Sequence, residues 1–591
     1  MVRNCRMAGW ITAMLLAVAV LTVGGSVAAP QSEFDIVITG GHIYDGTGSP
    51  WYLDDIGIRN GRIAAIGDLA GAPRRQTIDA HGQAVAPGFI DMLDQSGRSI
   101  LSHPRLPSKI YQGITTVVTG EGSSVAPRWP GADGRGAAGP GWTTFAEYFA
   151  RLERQGIGVN FASFVGATTV RELVLGDGDV QPTPAQLEQM EALVRQAMQG
   201  GAVGLSTALQ YPPAPFARTD ELIVLARIAA AYGGIYATHL RSEGAAEPEA
   251  VAEAIRIGQE AHIPVEIFHI KEAGYANWGK MPQLVAQIDA ARAAGVDIFA
   301  STYAYTAWSN GLSSFIPPWA HIGGSAALIN NLRNPPTRAR IRADLLNPAS
   351  WGNNDWQEIP GPEAVEIVGV RNPELRRFEG KRLSDVAEAW HEDPMDALFD
   401  FLIKDDGGTS VAVFGMSEPD VELALRQPWV SICTDAAGTS PSPMVHPHAR
   451  AYGTFPRILR KYVRQDHVLT LADAIRKMTE LPAVQMRFAD RGVIKQGMWA
   501  DIVIFNPATI RDRATYDNPQ QFAQGMDWVL VNGVPVLANG KMTNALPGKV
   551  LRGAEFNEKA AVPDRQQAVP PIRRSRIRKR CGMLGVFAAA A

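Results

Sequence analysis

Near both ends of the chain, apolar and polar residues alternate in strand fashion. "FDIVITGGHIYDGTG" and "DIGIRNGRIAAIGD" alternate in this way and turn at glycines and at Asn60-Gly61. A similar meander returns late, as "GVIKQGMWADIVIFNP" and "WVLVNGVPVLANGK". The pattern predicts one small β-domain assembled from both ends of the chain, residues 33–84 and 486–552.

Between these segments the period changes. Short apolar runs of strand length alternate with Ala-rich stretches whose apolar residues recur every three or four positions. The strand-like runs are "AVAPGFIDM", "TTVVTGE", "NFASFVGA", "AVGLSTAL", "GIYATHLR", "PVEIFHIK", "GVDIFAST" and "WVSICTDA"; "PAQLEQMEALVRQAMQG" and "PEAVAEAIRIGQEAH" are helical. Eight such strand-like runs, with helical stretches between them, predict an α/β fold of the (β/α)8 (TIM) barrel type over residues 85–485, with its chemistry at the C-terminal strand ends. A segment from about 308 to 427 interrupts the alternation before the last strand and reads as an insertion over the barrel mouth. Within it, "EAVEIVGVRNPELRRF" reads as helical.

The two termini differ from the rest. Arg3 and Arg6, the apolar "WITAMLLAVAVLTV" and the small-residue "GGSVAAP" make the three-part pattern of a secretory signal peptide over residues 1–29, cut after Ala28. The apolar run is shorter than the roughly 20 residues a membrane span needs, so a secreted or periplasmic protein without a stable anchor is expected. At the other end, residues 556–591 are rich in Pro and Arg without apolar periodicity, which predicts a disordered, solvated tail.

Composition narrows the class. With 46% apolar and 19% charged residues and a formal charge of −3, the chain can bury a large core and has no global field to attract nucleic acid. A small-molecule substrate is expected. Cys5, Cys433 and Cys581 are too few and too scattered for a disulfide framework.

Polar residues at the predicted strand ends supply candidate chemistry. Glu121 closes the second run, His239 the fifth, His269 the sixth and Asp435 the eighth. Two imidazoles and a carboxylate are a ligand set for catalytic zinc that keeps a fourth position open to water. A further carboxylate can move the water's proton to a leaving nitrogen, which is the role expected of Asp435. The remaining histidines, including His446 and His448 of "MVHPHARAYG", belong to no such constellation.

The stretches "YATHLRSE", "IFHIKEAGYANWGK", "YAYTAWSNGLSSFIPPWA", "ICTDAAG", "RAYGTFPRIL" and "DRGVIKQGMWADIVIF" together resemble the N-acyl-D-amino-acid deacylases (D-aminoacylases) of the amidohydrolase superfamily, from about Phe34 to Arg552. The resemblance implies a metal-hydrolase barrel with a β-sandwich, and zinc-dependent hydrolysis of the amide of an N-acyl amino acid or peptide-like substrate. It also implies that His239 and His269 are metal ligands, that Asp435 is the catalytic aspartate, and that Lys271, Tyr303 and Arg450 bind the substrate's carboxylate.

Two departures bear on the metal. Where the family's first strand ends in His-x-His, this chain has Leu93 and Gln95, and Glu121 falls where the family has a metal-binding cysteine. One zinc per chain on Glu121, His239 and His269 is therefore expected, and the harder carboxylate also accepts other divalent ions. Ser301, where relatives carry an acid, and Ala167, where they carry a histidine, bear on the substrate. A hydrolase of a dipeptide or cyclic amide, and a catalytically silent binding protein, are the competing readings.

Overall fold

The computed structural model describes residues 33–128, 141–442, 446–554 and 556. The expected leader at 1–29 and all but one residue of the basic tail lie outside the described residues.

The eight apolar runs form parallel strands in chain order. They are Phe89–Asp94, Ile114–Thr119, Asn160–Ser163, Gly204–Ala208, Ile235–His239, Val265–Ile267, Ile298–Thr302 and Val430–Ile432. The third run continues past a kink as Val165–Gly166, which pairs with the fourth strand. Closure between the eighth and first strands is made by Asp94 against Ala436 and by the amide of Asp435 donating to Leu93 O at 2.9 Å. Residues of the first and second strands are buried along their whole length, as expected of parallel strands with side-chain layers inside and helices outside.

The helices begin where local chemistry starts them. Thr144 and Glu147 form a capping box before Phe145–Gln155, and Thr183 and Gln186 form another before Pro184–Gln199, each satisfying amides that a helix start leaves open.

"AVAPGFIDM" proves to be two strands. Ala84–Pro87 pairs antiparallel with Ile502–Phe505 in the sandwich, and Phe89–Asp94 opens the barrel. The break falls at Gly88, where any Cβ would collide with the Thr115 side chain. One sandwich sheet comes wholly from the N-terminal segment; the other takes strands from both ends of the chain. A buried network joins sandwich to barrel: Asn160 of the third strand donates to Asp501 Oδ2 at 3.0 Å, and Asn532 donates to Asn160 Oδ1 at 2.8 Å.

The interrupting segment differs from its sequence reading in two respects. "EAVEIVGVRNPELRRF" is not a helix: it holds the strand Val365–Gly369 and a 3-10 turn, Pro373–Phe378. Val365, Ile367 and Val368 favour a strand that lies against Ser410–Val413, and Asn372-Pro373 stops it. The helix Glu418–Arg426 packs on the seventh and eighth strands and is the barrel's own crossover, so the inserted part ends before it. That part is a small antiparallel sheet, Trp308–Gly311, Ser410–Val413 and Val365–Gly369, with helices outside it. Trp308 to Gly311 line the cavity at the barrel mouth.

Candidate functional site

At the C-terminal end of the barrel lies a cavity of about 320 Å3, lined among others by Gln95, Glu121, His239, His269, Asp435 and Arg450. Glu121 leaves the second strand between Gly120 and Gly122, both with positive φ. Gly122 passes so close to Ala208 that a side chain there would meet the fourth strand, so this close approach of the loop carrying Glu121 requires glycine. His239 is the last residue of the fifth strand. His269 and Asp435 hold left-handed backbone conformations, at φ 38° and 47°, which are costly for residues with a Cβ and persist only where the surrounding structure enforces them.

Three donor atoms converge. Glu121 Oε1 lies 3.1 Å from His239 Nδ1 and 2.9 Å from His269 Nε2, and the two nitrogens are 3.0 Å apart. Ligands about 2.0–2.1 Å from a tetrahedral zinc stand roughly 3.3 Å from one another, so a few tenths of an ångström of opening makes this triangle a zinc-sized site with one face on the cavity. Among the described residues it is the group of His, Cys, Asp and Glu side chains with the geometry to hold a metal ion.

The far sides of the ligands are also held. His239 Nε2 donates to Gln210 Oε1 at 2.8 Å, and His269 Nδ1 lies 3.0 Å from Glu243 Oε1. With a metal bound, the outer nitrogen of each ring can carry its proton toward these acceptors and leave the inner lone pair free, as metal-ligating imidazoles require. Burial alone would raise the Glu121 carboxyl, but hydrogen bonds from His239 and His269 bring it well below the usual range. Burial and the neighbouring Lys271 push His269 down, while Glu243, Asp435 and Glu121 more than offset them and carry it up to about 9. Without a metal the site thus holds a proton among its ligands.

Asp435 stands beside this triangle. Its Oδ1 accepts from Gln95 Nε2 at 3.2 Å, and Arg450 Nη1 comes within 2.8 Å of its Oδ2. Arg450 is buried, lies with its guanidinium 4.9 Å from the Tyr303 ring centre, and donates from Nη2 to Ser309 O at 3.3 Å. Its approach to Asp435 is off the hydrogen-bonding direction, and its Nε has no hydrogen-bond partner among the described residues. The guanidinium therefore keeps donors for an anionic ligand. Lys271 also lines the cavity, with its ammonium 2.5 Å from Glu243 Oε1 and 2.8 Å from His269 Nδ1.

The structure thus brings all seven residues singled out in the sequence around one cavity: Glu121, His239, His269, Lys271, Tyr303, Asp435 and Arg450. Gln210 and Glu243 had no signal in the sequence beyond lying two residues after the fourth strand and four after His239. Gln95, noted only for what it is not, touches both Glu121 and Asp435. His448 is buried with Nε2 against Ala307 O at 3.2 Å and its other nitrogen accepting from the Arg450 amide, and His446 faces Tyr516 O, so both serve the loop's packing.

Comparison with known proteins gives a consistent picture. A profile of the amidohydrolase family matches residues 76–537. An N-acyl-D-glutamate deacylase of Alcaligenes xylosoxydans xylosoxydans is 36% identical over 528 residues, covering 88% of this chain and 97% of its own. The crystal structure of an N-acyl-D-glutamate deacylase from Bordetella bronchiseptica, complexed with zinc and a phosphonate mimic of the tetrahedral intermediate, superposes with a TM-score of 0.74 at 33% identity, covering 88% of this chain and 100% of that one. A D-aminoacylase structure, described for a binuclear metal centre with one-metal activation and second-metal attenuation, gives a TM-score of 0.73 at 33% identity over the same shares.

Proposed function

The chain belongs to the amidohydrolase family, and on that footing we propose that it deacylates N-acyl-D-amino acids with a single divalent metal, zinc in the first place, held by Glu121, His239 and His269. The observation that carries this reading is the convergence of three lone-pair donors within 3.1 Å of one another beside an uncoordinated carboxylate, on a cavity that also holds a buried arginine. Its relatives include an N-acyl-D-glutamate deacylase, a D-aminoacylase, and an N-acyl-D-glutamate deacylase complexed with zinc.

An ion bound there supplies Lewis acidity toward the amide carbonyl and brings the pKa of water to roughly 7. Asp435 accepts the proton of the attacking water and returns it to the amide nitrogen as the C–N bond breaks, so that acid and amine leave with their protons balanced. Arg450 binds the substrate's α-carboxylate with the donors it does not spend on Ser309 and Asp435, a task suited to its fork of N–H groups. Tyr303 and Lys271 border the same space, and Tyr303 is buried, with burial raising its hydroxyl well above the ordinary value so that it stays a neutral donor. The leader pattern at residues 1–29 supports export to the periplasm or beyond.

The test is a hydrolysis screen of N-acyl-D- and N-acyl-L-amino acids with the metal-loaded protein, the chelated protein and Glu121→Ala. Release of a free D-amino acid that disappears in the last two is expected. A loaded protein inert toward every N-acyl amino acid would overturn the reading.

A further inference from the structure

Gln95 stands one residue past the first strand, on the rim of the cavity. Its amide nitrogen lies 2.6 Å from Glu121 Oε2 and 3.2 Å from Asp435 Oδ1. Both neighbours are carboxylate oxygens, so the amide has one workable orientation, with its two N–H bonds toward them and its carbonyl away. Each oxygen it holds is the one its carboxylate can spare. Glu121 turns Oε1 to the two histidines and gives Oε2 to Gln95; Asp435 gives Oδ1 to Gln95 and has Oδ2 beside Arg450.

Two carboxylates facing one another across a small gap repel unless something positive or hydrogen-bond donating lies between them. A divalent ion does this in a binuclear centre. Here the side chain of Leu93 is buried and apolar, and Gln95 brings a neutral donor instead. Resting on the metal and the roles of Glu121 and Asp435 proposed above, we propose that the Gln95 amide stands in for a second metal ion, tying the metal ligand Glu121 to the general base Asp435 and occupying the space a second cation would need. Gln95 is thus a positioning residue. Glu121 becomes a single-oxygen ligand, Asp435 is held at a set distance from it, and the protein is insensitive to the excess metal that attenuates the D-aminoacylase of the comparison.

Three proteins test this: the natural chain, Gln95→Leu, and the double variant Leu93→His with Gln95→His. Metal content is measured after equilibration with excess zinc, the visible spectrum is recorded after cobalt substitution, and kcat and KM are followed as zinc is raised. The natural chain is expected to hold about one metal and keep its rate in excess zinc. Gln95→Leu should keep one metal and its melting temperature, shift the cobalt spectrum as Glu121 reorients, and lose about 10- to 100-fold in kcat with KM nearly unchanged, the value of hydrogen bonds to charged groups. The double variant should take up a second metal and become zinc-attenuated. Two metals on the natural chain, or a Gln95→Leu protein with natural kcat and cobalt spectrum, would overturn the inference. If the protein hydrolyses no N-acyl amino acid, the stoichiometry and spectrum still decide the role of Gln95, so the two failures are separable.

Discussion

Two groups of buried charge lie side by side at the mouth of this barrel, and they solve the problem of burial in opposite ways. In the first, the ammonium of Lys109 lies 2.9 Å from Asp91 and 2.7 Å from Asp94 of the first strand, and donates to Thr434 Oγ1 and Ala436 O on either side of Asp435. Lys109, Asp91 and Asp94 are wholly buried and line no cavity at the mouth. Burial would push Lys109 down, but the two carboxylates hold it above its ordinary value, and Asp91 is carried up to about 6 chiefly by burial. In the second group, Glu121, His239 and His269 turn their donor atoms on one another and open to the cavity, while Gln210, Glu243 and Gln95 hold their outer atoms. A cluster that contains its own cation is closed and structural. One whose lone pairs converge, with its supporting hydrogen bonds arranged behind them, is built for a cation from outside.

That contrast can be broken most sharply at the residue between the two groups. Asp435→Asn keeps shape and removes the proton acceptor, so kcat should fall about 10²- to 10⁴-fold while metal content stays at the natural level. Loss of metal along with rate would put Asp435 among the ligands.

Next in size is the closed cluster. Lys109→Met leaves two buried carboxylates without their cation, and removing one partner of such a group costs about 3–5 kcal/mol. Urea unfolding should show this loss equally in metal-loaded and chelated protein, whereas His239→Ala should destabilise mainly the loaded form. A Lys109→Met protein that unfolds normally but cannot hold metal would mean the two clusters are one site.

Arg450 sharpens the comparison on the substrate side. Arg450→Ala should lower kcat/KM for an N-acyl amino acid about ten- to hundredfold and hardly alter that for the corresponding neutral amide, because an ion-paired hydrogen bond is worth about 1.5–3 kcal/mol. Equal losses on both substrates would make Arg450 a support for Asp435 and nothing more.

The smallest effect is in protons. In the chelated protein His269 is raised from an ordinary 6.5 to about 9, so the stabilisation it contributes is complete below about pH 6.5 and is lost as pH rises toward 9. Metal must displace that proton, and titrating metal into chelated protein at pH 8 should release close to one proton per ion, read with a pH indicator. No release would mean His269 is already neutral and poised.

How much of this was legible in the sequence follows from what each feature depends on. The eight barrel runs are readable because each carries its own apolar run and is buried along all or nearly all of its length, as Phe89–Asp94 and Ile114–Thr119 are. The apolar spacing of "EAVEIVGVRNPELRRF" suits a helix as well as a strand, and only the neighbour Ser410–Val413 decides between them. In "AVAPGFIDM" the run of apolar residues continues through Gly88 and has the look of one strand, and the break there is imposed by Thr115 of the next strand.

What the sequence by itself determined is the order and period of the barrel's strands and the kind of side chain at each strand end: two histidines, a glutamate and an aspartate where a barrel does chemistry. Only the tertiary structure decided which of their atoms meet. Glu121 and His269 are 148 residues apart in the chain and 2.9 Å apart in space, and Gln95 reaches Asp435 across 340 residues. Hydrophobic period is a property of neighbours along the chain and survives in any window of sequence. A hydrogen bond between distant side chains depends on where closure of the barrel puts them, and no local pattern records it.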